Sequence, residues 1–217
     1  MEKVEQSLRT IYSLTVNNYK FSQAIKEFES LAKGFPELWG NEYFLTKLAF
    51  FYDHLALQQK KRQARFKMEN FAMELYKKAL TLDTKSTSAL WGIGRVWWHR
   101  KSKKAISYAK KVYFLVKKDG EPTGLKAQVI GLCYKAVENY ERAEYWLLRG
   151  YEEGPPDSGL TLNICKFYSD VGDHRKAVLY AKRLRGQLGR EDEKVRSTKF
   201  AKDIEKFIDE LLGQIQK

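Results

Sequence analysis

The residues to test first for chemistry are three histidines, His54, His99 and His174, two cysteines, Cys133 and Cys165, and the carboxylate pair Glu152-Glu153. No histidine sits at the spacing from a cysteine that a metal site uses. Gly92-Ile93-Gly94 is a fragment of a glycine pattern inside a helical stretch; the chain carries neither a phosphate-cradling loop nor a nucleophile elbow. Glu152-Glu153 has no basic or apolar pocket written around it. The expectation is no enzyme, no cofactor and no metal. Binding chemistry is better represented. Trp91, Arg95 and Trp98 follow one another at spacings of four and three, which puts two indoles and a guanidinium on one helical stripe. Such side chains are common interface anchors. Lys60, Lys61, Arg62, Arg65 and Lys67 form a basic run that reads either as a solvated turn or as a prong for an acidic partner.

Positive charge is unevenly spread. The formal net charge is +13 over 217 residues, and residues 87–123 hold nine basic residues against two acidic ones. A chain so charged meets anionic partners faster than neutral ones. No run of 18 or more apolar residues occurs, so no membrane-spanning segment is expected. The N-terminal residues lack the apolar core of a secretory signal, and two isolated cysteines do not make a disulfide framework. A cytoplasmic protein with both cysteines as small buried hydrophobes is the resulting expectation, with peripheral association at an anionic membrane left open.

The elements that would position these groups are short amphipathic helices. Around Leu125–Val137, Ile130, Gly131 and Tyr134 share one face, and around Glu141–Tyr151, Ala143 and Leu147 do the same. Gly131 and Ala143 allow the two backbones to approach closely, and Gly154-Pro155-Pro156 marks the stop. The small residue recurs at Ala24, Ala72, Ala105, Ala143 and Ala177, with separations of 48, 33, 38 and 34 residues. The 48-residue step predicts that both helices of the second hairpin are lengthened by one to two turns. The 38-residue step falls on Asp119–Gly124, which reads as a broken linker. At the C-terminus Phe200, Ala201, Ile204, Phe207, Ile208, Leu211, Leu212 and Ile215 form a single apolar stripe opposite a charged face, as a terminal cap requires.

With these anchors, residues 5 to 190 resemble the tetratricopeptide repeat, a helical hairpin of about 34 residues. The resemblance implies an all-α, right-handed superhelical solenoid of antiparallel helix pairs, a single domain over 1–217. Its repeats would cover about 3–37, 41–85, 87–119, 124–157 and 158–190, closed by a helix over about 195–216. It implies a scaffold or adaptor whose first helices line a concave groove. In that groove would stand Trp91, Arg95, Trp98, Gln128, Lys135, Asn163 and Lys166, facing a peptide or protein segment of acidic character. The family's chaperone-tail clamp is not matched, because Trp91, Arg95, Val129, Gly159 and Asn163 stand where its lysine, asparagine and arginine would be needed. The alternative is RNA or single-stranded nucleic acid on a basic, tryptophan-containing surface. Self-association through the C-terminal helix is the rival to its capping role.

Overall fold

The computed structural model describes residues 2–18, 20–154 and 157–215. Contacts divide the chain into two compact units, residues 1–112 and 113–217. The first holds α1 (Glu2–Asn18), α2 (Phe21–Gly34), a short 3-10 turn (Pro36–Gly40), α3 (Glu42–Leu57), α4 (Arg62–Leu82), α5 (Thr87–His99) and the larger part of α6 (Lys104–Lys118). The second contains α7 (Gly124–Ala136), α8 (Tyr140–Glu153), α9 (Ser158–Asp170), α10 (His174–Leu188), the single-turn α11 (Glu193–Arg196) and α12 (Lys199–Ile215). No strand occurs among the described residues. In each unit consecutive helices pack as hairpins, and the first helices of neighbouring hairpins also touch, α3 on α5 and α7 on α9.

Short polar side chains start several of these helices. Asn41, Ser86, Asn139, Asp157 and Asp173 each accept the backbone N–H three residues on, satisfying one of the donors a helix start leaves open. Three hairpin turns close with one geometry. Lys101, Glu138 and Gly172 have φ of 49°, 61° and 78°. The next N–H in each case, from Ser102, Asn139 and Asp173, donates back to Trp97, Tyr134 and Tyr168 at 3.0 Å. This is the left-handed helix ending that favours glycine; only the third turn uses one.

All five alanine anchors are buried, at 1% exposure or less. At the α7–α8 crossing, a Cβ on Gly131 would meet Ala143 O at 2.9 Å and Leu147 Cγ at 2.8 Å, so the close approach expected from Gly131 and Ala143 is real. A second contact was not expected. Gly124 opens α7 instead of ending a linker, and a Cβ there would meet Gly150 O at 2.7 Å. Gly92 is a packing contact too: a Cβ would lie within the ring of the fully buried Tyr76.

Helices α7 and α8 begin and end within two residues of the spans read around Leu125–Val137 and Glu141–Tyr151. Helix α4 has 21 residues against 15 in α6, one to two turns longer as expected, but α3 has 16 against 13 in α5, less than one turn, and the 3-10 turn Pro36–Gly40 takes up part of the 48-residue step. Asn17-Asn18 belongs to the last turn of α1, not to the connection after it. Pro155-Pro156, the expected stop after α8, lies outside the described residues, as does Gln216. Helix α12 begins at Lys199 and packs on α10, burying Ala201, Ile204, Ile208 and Leu211. That part of the stripe is covered within the chain, while Phe207 and Leu212 are half-buried.

Two glycines in helices give opposite expectations. Gly186 on α10 has open space around its Cβ position, so Gly186→Ala gains helix propensity and stabilises by about 0.5–1 kcal/mol. Gly92→Ala must displace Tyr76 and destabilises by about 1–3 kcal/mol. Urea unfolding of both variants checks this. Gly92→Ala in a Tyr76→Ala background should lose most of its penalty, and an unchanged penalty there would place its origin elsewhere.

Candidate functional site

In the first unit, the first helices α3 and α5 enclose a pocket of about 220 Å³ lined by Tyr12, Lys47, Phe50, Tyr76, Trp91 and Arg95, with Thr46, Ser88 and Gly92 completing it. Trp91 and Arg95 are therefore brought together. Their roles differ from the simple picture of two ligand contacts. The Arg95 guanidinium donates to the fully buried Asp53 through Nε at 2.6 Å and pairs with it through Nη2 at 2.6 Å. It also lies 5.0 Å from the Phe50 ring and donates to the Tyr76 hydroxyl at 3.4 Å. A buried carboxylate stripped of its cation is strongly destabilising, so Arg95 fixes α5 against α3 first and presents little free charge to a ligand.

Lys47 is the cation left over in this pocket. Its ammonium sits 4.3 Å from the Tyr12 ring centre and 5.1 Å from that of Tyr43, and no carboxylate among the described residues pairs with it. Burial lowers its pKa, with Glu42 pulling the other way. Aromatic faces attract a cation but do not neutralise it, which leaves Lys47 able to take an anion. Sequence reading missed Lys47. The signal was its position one turn before Phe50 on α3, the helix that also supplies Asp53 to Arg95. Trp98, on the last turn of α5, is exposed beside His99, their rings 5.1 Å apart.

In the second unit, Gln128 must be corrected. It is fully buried on α7, and its amide nitrogen donates to Leu160 O at 2.9 Å and Leu147 O at 3.4 Å. Its oxygen accepts from Asn163 at 3.0 Å. The pair ties α7, α8 and α9 together, and a buried amide so satisfied has nothing left for a peptide backbone. Lys135 is ion-paired with Asp170 on α9. Lys166 is exposed, its ammonium 5.7 Å from the Phe207 ring of α12. Glu153 is an acceptor for Thr123, Tyr113 and Arg149 at 2.7–2.9 Å. Burial would raise its pKa, but these donors bring it down to about 2. Cys133 and Cys165 are free, buried and, through burial, pushed up to about 12 and about 11.

Of the basic run, Lys60, Lys61, Arg62 and Lys67 are exposed around the α3–α4 turn, while Arg65 is half-buried and donates to the buried Glu69 at 2.7 Å. Glu69 also accepts from Arg100 at 2.9 Å. His54 and His99 border this charge network. His54 Nδ1 donates to Phe50 O at 2.9 Å, which leaves Nε2 as the lone-pair side, 3.4 Å from Arg95 Nη1. Burial, and then the Arg95 charge, lowers the His54 pKa. Burial also lowers that of His99, with Asp53 and Glu69 opposing and Arg95 and Arg65 adding to the shift. His99 Nε2 and Asp53 Oδ1 are buried without partners among the described residues.

The sign of the resulting pH dependence is fixed by these directions. Unfolded imidazoles take protons near their ordinary 6.5, whereas the folded ones remain neutral until lower pH. Stability is therefore full above the ordinary imidazole range and is lost as the pH falls below it, through the lowered folded-state values. Urea midpoints followed by circular dichroism should show this loss. His54→Gln with His99→Gln should flatten it; an unchanged slope in the double variant would assign the loss to other groups.

No protein-family model and no curated protein matches the sequence. Solved structures do match. PilW, described as a widely conserved type IV pilus biogenesis factor, superposes with a TM-score of 0.70 at 18% identity, covering 98% of this chain and 88% of that one. TTC0263, a thermophilic TPR protein in Thermus thermophilus, gives 0.66 at 14% identity over 94% and 98%. MamA gives 0.57 at 21% identity over 81% and 92%. With paired helices, buried small-residue anchors and these structural likenesses together, the chain has the tetratricopeptide-repeat fold.

Proposed function

We propose that this protein is a non-enzymatic interaction scaffold that holds an acidic peptide or protein segment on the first-helix face of its first unit. The observation that carries this reading is the Lys47–Trp91 pocket, where an ammonium without a carboxylate partner among the described residues shares the lining with an indole. An acidic side chain or chain end would meet Lys47, and an apolar neighbour would cover Trp91. Arg95 acts by holding the two walls in register through Asp53. The volume suits one or two side chains, so affinity must come from a longer segment lying along α3 and α5. Nucleic acid is the weaker reading for Trp97. Its ring is half-buried, with Lys104 at 4.5 Å and Arg100 at 5.5 Å, which takes the faces a base would stack on.

Selection from a random peptide display library tests the reading. Enriched peptides should carry an acidic residue within a few positions of a large apolar one. Lys47→Glu and Trp91→Ala should each weaken their binding about tenfold or more, at unchanged helix content, as expected for central interface residues. Binding indifferent to both substitutions would remove the pocket as the site.

A further inference from the structure

The turns α3–α4 and α5–α6 present a second surface, separate from the pocket. Residues 57–68 contain five basic and no acidic residues, and residues 97–104 contain four basic and none acidic. Arg100 locks the two turns together. Its guanidinium donates to Glu69 at 2.9 Å and to Asn70 at 2.8 Å, and lies 4.8 Å from the Phe66 ring and 5.5 Å from that of Trp97. Glu69 thus answers Arg65 and Arg100. The other seven cations on these turns have no ion pair among the described residues. Helices α4 and α6 both start here without an acidic residue in the first turn, although the helix dipole favours one there. Lys101 holds a left-handed φ of 49° at the position where the α9–α10 turn uses Gly172. A lysine thus stands where the backbone favours glycine, as Glu138 does in the α7–α8 turn. Leu57, Phe66 and Trp98 are exposed among these bases.

We infer that this edge docks the protein onto an anionic lipid bilayer. Six of the seven unpaired cations are lysines, compact charges that follow a diffuse surface potential without needing a bidentate partner. Exposed leucine, phenylalanine and tryptophan between them fit the boundary between headgroups and acyl chains. Single-stranded nucleic acid fits less well, because Trp97 is half-buried with Arg100 and Lys104 over its ring. Among the described residues no helix is long and apolar enough to cross the bilayer.

Flotation of the full chain with vesicles of phosphatidylcholine alone, or with about one third phosphatidylglycerol, tests the inference. Binding should require the acidic lipid and fall about fivefold for each lysine neutralised on this edge. Lys101→Gln/Lys103→Gln/Lys104→Gln should therefore reduce it about a hundredfold, and Lys60→Gln/Lys61→Gln about twentyfold. Lys33→Gln/Lys77→Gln/Lys85→Gln, a triple of exposed lysines away from these turns, should leave it within about twofold at the same net charge. The inference is overturned if flotation ignores the acidic lipid or if both triples lose equally. It is also overturned if the edge triple abolishes binding of labelled oligouridine while leaving flotation intact.

Discussion

Close approach of two helix backbones at a small residue is the constraint on which both units rest. Where Ala143 faces Gly131, no side chain can separate α7 from α8, and Leu147 has to pack beside the crossing. The same holds where α5 meets α6, with Tyr108 Cβ 3.2 Å from the Cβ position of Gly94. A hairpin built this way has one tightly packed seam and two outer faces, and it hides its apolar surface only against the next hairpin. The stack follows from that requirement. So does the amphipathic α12, which covers the exposed side of α10 with one apolar stripe.

Within the first unit a different interaction sets the chemistry. Asp53 is buried, Arg95 pairs with it from the adjacent hairpin, and Glu69 on α4 draws Arg65 and Arg100 together. These contacts use up the arginines that look most available in the sequence. What remains for a partner is mostly lysine: Lys47 in the pocket, and on the two turns six lysines beside Arg62. The division has a physical basis, since a guanidinium can satisfy a buried carboxylate with several directed donors, whereas an ammonium is more strongly hydrated and stays near water.

The hairpins were legible because their signal is local. A small residue, its apolar neighbours and a capping or turn residue all fall within one repeat, and the alanine anchors at 24, 72, 105, 143 and 177 needed nothing else. The site was less legible because its partners are remote. Asp53 lies 42 positions before Arg95, and Gln128 bonds to carbonyls 19 and 32 positions on. Polar residues on a first helix read as groove contacts, yet a backbone carbonyl leaves no mark in the sequence to say that Gln128 faces inward to meet it. Gly124 misled for a related reason: the glycine that looks like a break is the one that lets α7 begin against Gly150.

Both thiols of the chain, Cys133 and Cys165, are buried in the second unit, whereas four of its five indoles, at 39, 91, 97 and 98, belong to the first. The molecule thus carries two native reporters that do not overlap. Alkylation rate follows the opening of residues 113–217 alone, while intrinsic fluorescence is weighted toward residues 1–112. Whether the two halves melt as one cooperative body or in succession can be read without adding a single label.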